Sequence, residues 1–212
     1  MDIEIEKEQI AKAQQDKKEF APIYTVYYQK ILSYIIKRTN CVQVAEDITS
    51  TVFLKAMISI KKFKCTEFGI SPWLFKIAVN ELNDFYRKKK CVSLDQLMED
   101  ANFEPENFGD HLTEVRLTQE KIDNDIKGGL IRKELQKLSI KYQDVISLKY
   151  FENKTIEEIC LILDKKEGTV KSLISRGLKK LKKNFKLTKD INKDEKEVQP
   201  FATKNVILLE QS

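Results

Sequence analysis

Val170, Leu173, Ile174, Leu178, Leu181 and Phe185 stand three and four residues apart in EGTVKSLISRGLKKLKKNF, residues 167–185. That spacing sets them on one side of an α-helix, which turns once in about 3.6 residues, and it does not fit the two-residue alternation of a strand. Ser172, Arg176 and Lys179 fall on the opposite side, flanked by Lys171 and Ser175. Such a helix suits open solvent, a membrane surface or a DNA groove. A membrane-lying helix needs a broad apolar face with bulky aromatics, whereas here Gly177 interrupts the stripe and Phe185 is its one aromatic.

The segment just upstream, NKTIEEICLILDKKEG (residues 153–168), chooses among these. Thr155 followed three residues later by Glu158 is the signature of a capping box, which starts a helix. Ile156, Ile159, Ile162 and Leu163 give that helix its buried side, and the polar residues 164–168 make a short turn. Cys160 is a small residue where the two helices are expected to cross closely. Two helices on a short turn describe a helix-turn-helix. Residues 152–164 carry one basic and four acidic side chains, while the helix that follows is strongly basic. That asymmetry is expected when the second helix alone enters the major groove and its lysines meet phosphates.

The first half of the chain holds a second basic helix, SPWLFKIAVNELNDFYRKKK (residues 71–90). Ser71 is suited to the N-cap and Pro72 to the first helical position. Leu74, Ile77, Ala78, Leu82 and Phe85 form its apolar stripe, and Lys76, Asn80, Asn83 and Arg87 form a donor-rich opposite face running into Lys88. Glu81 lies on the apolar side with no local reason. The preceding loop interleaves Phe63 and Phe68 with lysines, a combination suited to unpaired bases, which stack on rings while their backbone meets charge. Upstream again, residues 43–60 place Ala45, Ile48, Val52, Phe53 and Ala56 on one side and Asp47, Thr51, Leu54 and Ile58 on the other. This outer face reads either as a protein-binding surface or as a helix buried on both sides.

Composition limits the rest. With 33% charged and 42% hydrophobic residues, six glycines and four prolines among 212, the chain reads as a helix-rich, all-α protein. Its charge is unevenly spread: residues 54–90 sum to +6, residues 91–129 to −7 and residues 165–189 to +9. Two small helical domains, 20–90 and 130–187, on an acidic linker, 91–129, follow from that pattern. Residues 1–19 read as an N-terminal extension and 188–212 as a flexible tail. Four dispersed cysteines and a lone histidine, His111, offer no clustered metal ligands, and no motif calls for a cofactor or for catalysis. No run approaches the ~18 apolar residues of a membrane span, and the N-terminus has no signal-peptide core, so a cytoplasmic protein without membrane insertion is expected.

The stretch KLSIKYQDVISLKYFENKTIEEICLILDKKEGTVKSLISRGLKKLKK (residues 137–183) resembles the C-terminal DNA-binding domain of bacterial RNA polymerase sigma factors of the extracytoplasmic-function type. AEDITSTVF (residues 45–53) resembles that family's polymerase-clamp helix, and WLFKIAVNELNDFYRKKK (residues 73–90) resembles its −10-capturing helix. The resemblance covers 20–90 and 135–183 in the family's domain order. It implies an alternative sigma factor, not itself an enzyme, with core RNA polymerase (clamp and flap) and promoter DNA as partners, and it allows for an anti-sigma protein. The −35 element would be read by Thr169, Lys171, Ser172, Ser175, Arg176 and Lys179. The −10 element would be met by Phe68, Lys76, Asn80, Asn83, Asp84, Arg87 and Lys88. Polymerase would be held by Asp47, Thr51, Phe53, Leu54 and Ile58. Ser50, Thr51, Asp164, Lys165 and Leu173 depart from the family's pattern. The rival reading is a stand-alone helix-turn-helix regulator with an N-terminal sensor or dimerisation module. A protein of basic membrane surfaces is a remoter third.

Overall fold

The computed structural model describes residues 3–96 and 126–191, with side chains described at 3–88 and 131–185. Eight α-helices are described: α1 (Ile3–Gln15), α2 (Ala21–Thr39), α3 (Val42–Ser59), α4 (Ser71–Gln96), α5 (Ile126–Gln136), α6 (Ile140–Ile146), α7 (Ile156–Leu163) and α8 (Glu167–Ile191). Short 3-10 turns at Lys17–Phe20 and Ile60–Lys62 and a π turn at Ser147–Phe151 connect them. Asn40, Asn153 and Asp164 take left-handed backbone, with φ of 54°, 50° and 53°. Asn and Asp tolerate that conformation better than most side chains, and at Asn40 and Asp164 it ends α2 and α7.

The first bundle packs α2 on α3, α3 on α4, and α1 against α2 and the Ile60–Lys62 turn. All five residues of the expected α3 stripe, Ala45, Ile48, Val52, Phe53 and Ala56, are buried. On α4, Leu74, Ala78 and Leu82 are fully buried, while Ile77 and Phe85 pack at the margin. Phe75 and Val79 are buried as well, so α4 has two covered sides rather than one.

In the second bundle α8 packs on α6, with Val170, Ile174 and Leu181 set against a core that includes Tyr142, Val145 and Ile146. Gly177 does not interrupt this face. It is buried, and a Cβ there would come within 2.9 Å of Ile146 Cδ1 and 3.4 Å of Tyr142. The missing side chain at Gly177 thus lets α6 come near.

The two bundles share one continuous apolar core, and α7 lies against α4. Val79, which belongs to neither the apolar stripe nor the donor face, is buried beside Ile162 and Leu163 at that contact. Helix also enters the span expected as linker from both ends, since α4 runs to Gln96 and α5 begins at Ile126, and α8 continues past 187 to Ile191. Residues 97–125 and 192–212, which hold most of the expected linker, His111 and most of the tail, lie outside the described residues. Residues 1–19 contain an ordered helix, because Ile10 and Ala13 of α1 are buried in the core.

Candidate nucleic-acid interface

The helix-turn-helix forms as its sequence dictates. Thr155 Oγ1 accepts the Glu158 N–H at 3.2 Å and the Glu158 carboxylate accepts the Thr155 N–H at 2.9 Å, so both halves of the capping box are present. Asp164 closes α7 in left-handed backbone. Helix α8 starts at Glu167, so the turn spans only 164–166 and Gly168 belongs to the helix. Cys160 is half-buried, and its carbonyl accepts the Lys165 N–H at 3.1 Å across this turn.

With Val170, Ile174 and Leu181 buried and Leu173, Leu178 and Phe185 packed at the core margin, α8 exposes Thr169, Lys171, Ser175, Arg176 and Lys179, and leaves Ser172 half-exposed. Lys171 pairs with Glu167 at 2.6 Å, both largely exposed, which holds the ammonium at the first turn and raises its pKa through that hydrogen bond and charge. An exposed pair of this kind stabilises little. The helix thus offers donors over some three turns with one carboxylate at its start.

The α4 site is arranged differently from its sequence reading. Ser71 does not cap the helix; its hydroxyl accepts from Lys154 Nζ of the second bundle at 2.7 Å. Ile70 occupies the capping position, its carbonyl accepting the Leu74 N–H at 3.0 Å. Phe63 stacks on Trp73 with centroids 4.7 Å apart, whereas Phe68 is half-exposed and is not packed on the core. Asn80, Arg87 and Lys88 are exposed, Asp84 pairs with Arg87 at 3.0 Å, and Lys76 and Asn83 are half-buried. Glu81 finds its reason in α3: its carboxylate takes Lys55 Nζ at 2.5 Å.

On α3, Leu54 and Ile58 are 54% and 59% exposed, which rejects the doubly buried reading of this face. Asp47 is exposed and Thr51 half-exposed beside them, and Tyr24 of α2 adds a further exposed ring. Phe53 is not on this face. It is buried against Phe20, Tyr24 and Tyr28, where it fixes how α2 and α3 meet.

The residues that sequence reasoning passed over lie between the bundles. Arg38, at the end of α2, donates to Asp144 of α6 at 2.6 Å with 1% and 7% of the side chains exposed. Lys37 pairs with Glu152 at 3.0 Å, and Lys154 sits 5.0 Å above the Phe75 ring. The π turn and the left-handed Asn153 aim Glu152 and Lys154 back at the first bundle. Beside these contacts a cleft of about 530 Å³ is lined by Lys76, Asn80 and Asn83 of α4 and by Asp144, Ile162 and Lys165 opposite. Lys76, Asn80 and Asn83 of the α4 donor face thus line this cleft, while Asn80 keeps an exposed side and Arg87 and Lys88 stay exposed. Among the described residues no cluster of His, Cys, Asp and Glu is placed to hold a metal, and no helix is long and apolar enough to cross a membrane.

The family model for sigma-70 region 2 matches residues 23–91, and that for sigma-70 region 4 matches residues 129–181. The ECF RNA polymerase sigma factor SigW of Bacillus subtilis (strain 168) is 33% identical over 180 residues, covering 84% of this chain and 94% of its own. The RNA polymerase sigma factor YlaC of the same organism is 28% identical over 163 residues, covering 77% and 90%. Among solved structures, the sigma factor RpoE of Bartonella quintana, crystallised with the anti-sigma factor NepR, superposes with a TM-score of 0.59. It is 22% identical, over 80% of this chain and 98% of that one, a likeness of fold. With two family segments in order and a relative matched over nearly its whole length, the chain belongs to the extracytoplasmic-function group of the sigma-70 family of RNA polymerase sigma factors.

Proposed function

We propose that this chain binds core RNA polymerase through the exposed face of α3, captures the −10 strand with α4 and the loop before it, and reads the −35 duplex with α8. The chemistry of phosphodiester formation then belongs to the polymerase, and the protein works in the cytoplasm as a non-enzymatic initiation factor. The observation that carries the reading is the presence, in one chain, of two unlike exposed faces. One is apolar, at Leu54 and Ile58; the other is cationic, from Lys171 to Lys179. A bare apolar pair beside an acid suits a protein partner, and a helix face of Ser, Arg and Lys suits a major groove.

In this reading Thr169, Ser172, Ser175 and Arg176 meet base edges or adjoining phosphates, while Lys171 and Lys179 supply charge at either end. Asp47, Thr51, Leu54 and Ile58 contact the polymerase, and Phe53 shapes their helix from below. At the −10 element Phe68 stacks, Asn80 and Asn83 offer paired donor and acceptor groups, and Lys76, Arg87 and Lys88 follow the backbone. Asp84 orients Arg87. Because the α4 face lines the cleft with α7, strand capture requires the second bundle to move away first. An anti-sigma protein that binds the packed form would hold the factor inactive.

The test is transcription in vitro from a promoter library with core polymerase, alongside co-elution of the two proteins. Promoter-selective transcripts together with co-elution are expected. DNA binding without co-elution would instead favour a stand-alone helix-turn-helix regulator.

A further inference from the structure

Helix α1 precedes both segments that match the family models, yet two of its side chains hold both ends of the loop that leads into α4. Glu6 is 5% exposed, and its Oε1 accepts the Ile70 N–H at 2.7 Å and the Tyr27 hydroxyl at 3.2 Å. Gln14 Nε2 donates to the carbonyls of Ile60 at 3.1 Å and Phe63 at 2.7 Å. Positions eight apart lie on one face of a helix, roughly 12 Å along its axis. Between the two anchors the chain has one bridge of its own, Thr66 to Gly69, and its residues 64–67 are exposed.

Gly69 is matched to this arrangement. Its φ of 67° is left-handed, and a Cβ there would lie 2.7 Å from Glu6 Oε1. The carboxylate also sits at the N-terminal end of α4, where the helix dipole and an unpaired N–H favour an anion. Phe68 stands between the two anchors with no support from the core. The direction of its ring is therefore set by the backbone at 63–70, and that backbone by α1.

We infer that α1 is a positioning element for strand capture: Glu6 and Gln14 fix the loop so that Phe68 and the start of α4 meet the melted −10 strand in one geometry. This rests on the reading of Phe68 given above. Glu6 acts through Ile70 and the loop; it does not touch DNA.

The experiment uses the full chain bound to core polymerase and a single-stranded DNA pool with a randomised centre, and bound strands are sequenced. Four variants are compared with the wild type: Glu6→Ala, Glu6→Gln, Gly69→Ala and Phe68→Ala. Thermal stability, polymerase affinity and binding of −35 duplex are measured alongside. Glu6→Ala is expected to lower base enrichment at the positions next to the loop by about tenfold, a factor equal to 1.4 kcal/mol. Enrichment elsewhere and polymerase affinity stay unchanged. Glu6→Gln keeps an acceptor oxygen and restores most of the enrichment, whereas Gly69→Ala displaces the carboxylate and repeats the loss. If Glu6→Ala does not fold, Gly69→Ala and Gln14→Ala carry the same test. Enrichment within twofold of wild type in Glu6→Ala and Gly69→Ala, with Phe68→Ala still defective, overturns the positioning role and leaves the loop reading intact. No change even in Phe68→Ala overturns both.

Discussion

Arg38 and Asp144 stand 106 residues apart in sequence and 2.6 Å apart in space, both almost fully buried, one in each bundle. The guanidinium also donates to Tyr34 Oη at 3.3 Å, and Tyr86 Oη donates to the Arg38 carbonyl. Among the described residues, two of its nitrogens, Nε and Nη2, have no hydrogen-bond partner. Removing one member of such a pair leaves a buried charge without compensation, which costs far more than the intact pair contributes. Arg38→Met is therefore expected to destabilise the packed arrangement by about 3–5 kcal/mol. Exchanging both residues for apolar side chains of similar volume is expected to restore it. Thermal melts of the single and double variants, with a distance probe between α2 and α8, check both expectations.

The pH dependence of the same contact follows from burial. Burial pushes the carboxyls of Asp144 and Glu152 above their ordinary values of 3.8 and 4.5, against the pull of Arg38 and Lys37. The packed form thus holds these protons more tightly than separated bundles do. Its stability is fully present below the ordinary values and is lost as pH rises through the raised ones. Acidifying from neutrality toward these ordinary values is expected to shorten the mean distance between bundles. A distance that lengthens or stays constant over that window contradicts it.

Leu54→Asp with Ile58→Asp is expected to abolish co-elution with core polymerase. Both side chains are more than half exposed, so stability changes by no more than ~0.5 kcal/mol and helicity by circular dichroism is unaltered.

On α8, Arg176→Ala is expected to relax the −35 preference at one or two positions by ~1–3 kcal/mol, the discrimination a paired contact to guanine provides. Lys183→Ala, where the helix leaves the groove, is expected to weaken all promoters alike and reduce the salt slope by about one unit. Binding titrations over a set of operator variants at several salt concentrations separate the two.

Elements whose causes lie within a few residues were legible in the sequence. The Thr155–Glu158 capping box, the buried stripes of α3 and α8, and the exposed row from Thr169 to Lys179 all follow from helical spacing. The family resemblance added which partners those faces meet. Other positions were decided by groups far away in the chain. Val79 is covered where α4 meets the second bundle, Phe75 lies between Tyr34 of α2 and Lys154, Ser71 serves Lys154 instead of its own helix, and Glu81 answers Lys55. Glu6 reads as an ordinary charge on a polar helix until Ile70 and Tyr27 are brought to it. Arg38 and Asp144 give no signal at all, because a charged side chain is placed in a core only when its counter-charge arrives by tertiary packing. Periodicity reports which side of a helix is apolar; only the packed chain decides what stands against the other side.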